Sequence, residues 1–136
     1  EKWEERRLEL ESKHVLIVED NHFNHMVVEG FLTRWNIKST WAKNGIECLE
    51  VLKNLSFDLI LMDLQMPLLD GYETSKIIRN LDSKKNKTPI IALTADTIGN
   101  VKEKALASGV DSFLTKPFKP QHLKSCLVQY LLDIER

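Results

Sequence analysis

Five short runs, spaced along the chain and separated by amphipathic stretches, restrict this sequence more than any other feature. They are Val15-Leu16-Ile17-Val18, Lys38-Ser39-Thr40-Trp41-Ala42, Leu59-Ile60-Leu61-Met62, Ile90-Ile91-Ala92-Leu93 and Ser112-Phe113-Leu114. The first, third and fourth are continuously apolar, as a strand is when a parallel sheet buries both of its faces. The second alternates, which suits a sheet edge. The intervening stretches predict helices over 21–34, 44–54, 71–81, 97–108 and 119–133. Gly109 stands where a helix C-terminus wants it, and Pro120 falls in the first turn of the last helix. Strands alternating with helices imply an α/β fold, a doubly wound parallel sheet with helices on both faces.

Composition bounds the rest. The 136 residues suit one domain, and 43% hydrophobic residues suffice for a core. With 19 basic and 20 acidic residues the net charge is −1, which predicts no nucleic-acid binding through a broad basic face. No apolar run is long enough to span a membrane, so no membrane contact is expected of this segment. Cys48 and Cys126 read as free thiols in a reducing, cytoplasmic setting. Residues 1–12 read as a charged helix with a weak apolar stripe at Trp3, Arg7, Leu8 and Leu10. That suggests a helical linker from an upstream region ahead of a domain over 13–136. A first residue of Glu rather than Met is expected of a piece cut from a longer protein.

In open parallel sheets the reactive groups lie beyond the carboxyl ends of the strands. Here those ends carry Glu19-Asp20 after the first run, Asp63 after the third, Thr94 after the fourth and Lys116-Pro117 after the fifth. Parallel strands bring these to one rim. Three carboxylates in one pocket repel one another and call for a cation. No histidine or thiolate stands at a strand end, so the donors are hard oxygens and favour Mg²⁺ over zinc. A nucleophile, a metal and two donors for developing charge are the parts of phosphoryl transfer. Each residue alone has a blander explanation: Asp20 as a helix cap, Thr94 as a capping hydroxyl, Lys116-Pro117 as a turn. Their joint occurrence at successive strand ends outweighs those.

The segments Val15-Leu16-Ile17-Val18-Glu19-Asp20-Asn21, Asp58 to Gly71 with Met62-Asp63-Leu64-Gln65-Met66-Pro67 at its centre, Pro89 to Ala95, and Lys116-Pro117-Phe118 resemble the receiver domain of response regulators. The resemblance covers 13–134. It implies a flavodoxin-like sheet of order 2-1-3-4-5 and phosphorylation of Asp63. It also implies Mg²⁺ (or Mn²⁺) bound by Asp20, Asp63 and the backbone carbonyl of Gln65, with Glu19 acting through water. Thr94 and Lys116 would contact the phosphoryl group, and Phe113 takes the place of the aromatic switch residue. Leu69 stands where Met is commoner, without consequence for the chemistry. The donor or acceptor would be the dimerisation and phosphotransfer helices of a histidine kinase or a histidine phosphotransfer protein. It would dock near the first helix of the domain, around Asn24, Val27, Val28 and Phe31, and near the loop after the fifth strand.

The Met62-Asp63-Leu64-Gln65-Met66-Pro67 wording and the charged segment ahead of His14 resemble hybrid histidine kinases. A C-terminal receiver of such a kinase is therefore expected, ahead of a free-standing or output-linked regulator. The receiver would catalyse its own phosphorylation and dephosphorylation. A flavin-binding module of the same topology needs a phosphate-cradling loop after the first strand, where Glu19-Asp20-Asn21-His22 is acidic. An aspartyl-nucleophile phosphatase would place an acid at Gln65. A receiver acting only as an interaction module would not need the intact set Asp20, Asp63, Thr94 and Lys116. His14, His22, His25 and His122 lack metal-ligand spacing, Trp35 and Trp41 read as packing residues, and Gly71 reads as relief for a tight loop.

Overall fold

The computed structural model describes residues 6–95 and 100–132. Five parallel strands form one sheet in the order β2-β1-β3-β4-β5. They are β1 His14–Val18, β2 Lys38–Ala42, β3 Leu59–Asp63, β4 Ile90–Thr94 and β5 Ser112–Thr115. The helices are α1 Arg7–Glu11, α2 His22–Arg34, α3 Gly45–Asn54, α4 Gly71–Arg79, α5 Val101–Ala107 and α6 Pro120–Leu131, with a 3₁₀ turn at Lys84–Lys87 that periodicity did not predict. The expected start of the fourth helix of the domain, 97–99, lies outside the described residues, as does Trp3. The helix expected over 71–81 stops at Arg79.

The continuous apolar runs have a direct structural cause. Val15 and Ile17, Leu59 and Leu61, and Ile91 and Leu93 face α2 and α6. Leu16 and Val18, Ile60 and Met62, and Ile90 and Ala92 face the other way, with Cys48, Leu52, Ile78 and Ala105. Each of these runs feeds two cores, so its positions are apolar throughout, and the polar residues of these strands, His14, Asp63 and Thr94, stand at the strand ends. Each fully buried Leu or Ile contributes roughly 1.5–3 kcal/mol. The two cysteines are buried in these cores and form no disulfide with each other.

Leu10 on α1 joins the core that faces α6 and is 1% exposed. Arg6 Nη1 donates 2.6 Å to the carbonyl of Leu132, just past the end of α6. Part of the segment read as a linker is therefore packed on the domain.

Helix starts set the rim. Asn21, Asn44 and Asp70 each accept a hydrogen bond from the backbone N–H three residues on, at 2.9, 2.8 and 2.9 Å, and so cap α2, α3 and α4. Since Asn21 is the cap, Asp20 is released from that duty. Gly71 is required by close approach: a Cβ there would lie 2.3 Å from the carbonyl oxygen of Asp63. The loop between β3 and α4 passes through Leu68 at φ 72°, an uncommon left-handed conformation for a side-chain-bearing residue.

Candidate functional site

The rim at the carboxyl ends of β1, β3, β4 and β5 collects the residues expected there. Glu19 follows β1 and is 1% exposed, while Asp20 beside it is exposed. Asp63 closes β3, pairs in register with Leu93 and is 6% exposed. Carboxylate oxygens of Glu19, Asp20 and Asp63 lie within 4.8 Å of one another. Thr94, at the end of β4, is buried, and its carbonyl accepts a 2.7 Å hydrogen bond from the backbone N–H of Lys116. That bond extends the pairing of β4 with β5 by one residue and brings the Lys116 side chain to the acids.

Lys116 is the cation of the site. Its Nζ donates to Glu19 Oε1 at 2.8 Å and lies 3.8 Å from Asp63 Oδ1. Lys116 thus forms an ion pair with both carboxylates, and the hydrogen bond is the one to Glu19. Electrostatics account for this. Burial, and next the neighbouring Glu19, push Asp63 from the usual 3.8 up to about 7. Burial also works against ionisation of Glu19, but hydrogen bonds from Lys116 and from Asp63 hold it below the ordinary range. Glu19 is thus the carboxylate that keeps its charge, and the ammonium sits nearer to it. The backbone N–H of Gln65 donates to Asp63 Oδ1 at 3.2 Å, and that of Asn21 to Glu19 Oε2 at 3.2 Å.

Asp20 has no hydrogen bond or ion pair among the described residues. Three hard-oxygen donors, one forced toward neutrality by its neighbours and one unengaged, fit a small divalent cation. Phe113 is half-buried on β5, opposite Ala92, with Lys102 Nζ 4.9 Å from its ring centre.

Beside the acids runs an apolar groove of about 400 Å³. Phe23, Val27 and Phe31 of α2 and Pro117 and Phe118 after β5 line it, and Lys116 and Glu19 stand at its end. Asn24 and Val28, grouped with the docking face in the sequence, also line it, Val28 as a buried residue beneath it, and Phe23 is 71% exposed. Phe23 was not foreseen. Helical spacing could have found it, because Val27 lies one turn on from Phe23 and the buried positions of α2 are His25, Val28 and Leu32.

A doubly wound five-stranded sheet whose rim gathers acids, a hydroxyl and a lysine is the build of a phospho-accepting signalling domain. The family model for the response regulator receiver domain matches residues 15–128. The chain is 43% identical over 120 residues to the autoinducer 2 sensor kinase/phosphatase LuxQ of Vibrio parahaemolyticus, covering 88% of this chain and 14% of that protein. It is 34% identical over 158 residues to histidine kinase 5 of Arabidopsis thaliana, covering 94% of this chain and 17% of that one. Among solved structures it is similar to the receiver domain of sensor histidine kinase PA1611 of Pseudomonas aeruginosa, which holds a magnesium ion in its active-site cleft. The TM-score is 0.82 at 34% identity, over 88% of this chain and 97% of that one. A second is the receiver domain of the Saccharomyces cerevisiae response regulator Ssk1, solved with the histidine phosphotransfer protein Ypd1, at a TM-score of 0.79 and 35% identity, over 88% and 89% of the two chains. The chain belongs to the response regulator receiver family and is a receiver domain of two-component phosphorelays. It spans about a seventh of the length of the LuxQ relative. Among the described residues, no helix is long and apolar enough to cross a membrane.

Proposed function

We propose that this domain takes a phosphoryl group from a phosphohistidine onto Asp63. The observation that carries the reading is the gathering of Glu19, Asp20 and Asp63 within 4.8 Å, with Lys116 shared between Glu19 and Asp63. An ionised Asp63 oxygen attacks phosphorus. The new O–P bond forms as the N–P bond to the donor imidazole breaks, and the imidazole nitrogen keeps the electron pair. Lys116 moves from Glu19 to the incoming phosphoryl oxygens, and the Thr94 hydroxyl donates to another of them. Asp20, Asp63 and the Gln65 carbonyl would hold Mg²⁺, or Mn²⁺ in its place, with Glu19 reaching it through water. The ion would supply charge neutralisation at the phosphoryl oxygens.

The donor is a histidine on a helical partner, the phosphotransfer helices of a histidine kinase or a histidine phosphotransfer protein. The groove between α2 and the loop after β5 supports this, because it presents exposed Phe23 and Val27 within reach of the acids. Similarity to LuxQ and histidine kinase 5 supports a parent that is a cytoplasmic or membrane-anchored hybrid kinase. Intact-mass measurement after incubation with acetyl phosphate and Mg²⁺ tests the central step. One added phosphate is expected in the natural chain and none in Asp63→Asn, since an amide is not a competent nucleophile. Labelling that persists in the variant refutes the assignment.

A further inference from the structure

We propose that Trp41 is a positioning residue for the acidic site: its indole N–H holds the peptide between Glu19 and Asp20, and so aims the Asp20 carboxylate at a divalent cation. This rests on the reading that Glu19, Asp20 and Asp63 form a cation site. Strand pairing of β1 with β2 ends at Val18 opposite Ala42. Past that point Glu19 would have no strand partner for its carbonyl. The Ala42 carbonyl still accepts from Glu19 N–H at 3.1 Å. The Glu19 carbonyl accepts from Trp41 Nε1 at 2.7 Å. Both backbone groups of Glu19 are therefore held by β2, one by its main chain and one by a side chain standing in for the next rung.

The carbonyl in question belongs to the peptide that leads into Asp20. Asp20 is exposed and has no side-chain partner among the described residues, so its direction depends on its backbone. The indole is itself clamped. His25, 5% exposed, stacks on it with ring centres 4.0 Å apart and planes 6° apart. His22 lies 5.5 Å from it, and Lys43 Nζ lies 5.5 Å from the ring centre. Covering the edge strand explains the ring contacts of a Trp at this position. It does not explain why the N–H points at the one carbonyl next to Asp20. Groups that orient metal ligands from behind weaken metal affinity by about 10–100-fold when lost.

Two full-chain variants separate donor from shape: Trp41→Phe, and replacement of Trp41 by β-(3-benzothienyl)alanine, which keeps the bicyclic outline and lacks the N–H. Mg²⁺ binding is followed by titration calorimetry, and thermal unfolding in EDTA reads the metal-free fold. The natural chain and Trp35→Phe are expected to bind Mg²⁺ alike, and both Trp41 variants about tenfold more weakly. The benzothienyl variant should melt near the natural chain in EDTA, so its weaker binding is not a loss of fold. A benzothienyl variant that binds Mg²⁺ as tightly as the natural chain overturns the proposal and leaves the cation site standing. A natural chain that binds no Mg²⁺ overturns the cation site itself and the role of Trp41 with it.

Discussion

Asp63→Asn is expected to make the metal-free protein more stable. Asp63 is 6% exposed, and its carboxyl is raised from 3.8 to about 7, by burial first and by Glu19 next. A raised acid binds its proton more tightly in the native state than in the unfolded chain. Stability therefore falls as pH rises from about 4 to 7 and is level, at its lowest, above that. The full shift is equivalent to about 4 kcal/mol at 1.36 kcal/mol per pH unit. Glu19, held below its ordinary range partly by its hydrogen bond with Asp63, gives back some of this when the pair is broken. A net gain of about 1–3 kcal/mol at pH 8 is expected, or roughly 4–10 °C in melting temperature. Urea unfolding of both proteins in EDTA at pH 5 and pH 8 measures it. The gap at pH 5 should be under about half that at pH 8, because Asp63 is then largely protonated in the native state. Mg²⁺ at a hundredfold above its dissociation constant adds about 2.7 kcal/mol to a chain that binds it. The natural protein should gain more from it than the variant, closing or reversing the gap. A variant no more stable than the natural chain at pH 8 in EDTA, or a gap independent of pH, refutes the electrostatic account.

Leu10→Ala is expected to cost about 2–5 kcal/mol in urea unfolding, since Leu10 is 1% exposed in the core beside α6; a loss below about 0.5 kcal/mol would mean that residues 6–12 only lean on the domain. Phe113 is expected to move from half-buried to inward on phosphorylation, with Lys102 leaving its ring. The fluorine spectrum of 4-fluorophenylalanine at Phe113, with and without beryllium fluoride, should show a shift that Thr94→Ala abolishes; an unchanged resonance refutes the movement.

The fold was legible because its signals are local. Val15 to Val18, Leu59 to Met62 and Ile90 to Leu93 read as central strands, and Gly109 and Pro120 mark a helix end and a helix start; the cap of α2 is Asn21 and not Asp20. The gathering of Glu19, Asp20, Asp63 and Lys116 was equally legible, since a parallel sheet brings the ends of its strands to one rim. What stayed hidden depends on side-chain direction across long separations. Nothing in the pattern says that Lys116 prefers Glu19 to Asp63; that follows from which carboxyl is more easily ionised once both are buried. Nothing says that Arg79 reaches the carbonyls of Gly109, Asn86 and Thr88 and the carboxylate of Asp111. One guanidinium there ties the end of α4 to the turns before β4 and β5. Leu10 read only as part of a weak apolar stripe, because the core it joins is assembled from residues as far along the chain as Leu132.

The position of Lys116 joins the chemistry to the switch. In the structure one ammonium serves two carboxylates, and the one that keeps its charge, Glu19, holds it. A phosphoryl group on Asp63 would bring about −1.5 to −2 charges to the other side, more than the single charge of Glu19. The ammonium is then drawn across. Lys116 is tied to the strand end beside it, because its backbone N–H is bonded to the carbonyl of Thr94. Thr94 in turn pairs with Thr115, and Ala92 with Phe113. The proposed phosphoryl contacts of Thr94 and Lys116 therefore pull on the ends of two neighbouring strands, one of which carries Phe113. Phe113 has no hydroxyl to anchor it, and the cation over its ring is an exposed contact of about 0.5–1 kcal/mol. So weak a hold can be overturned by a small displacement at the rim. That is the condition for a surface near α5 to report the charge on Asp63.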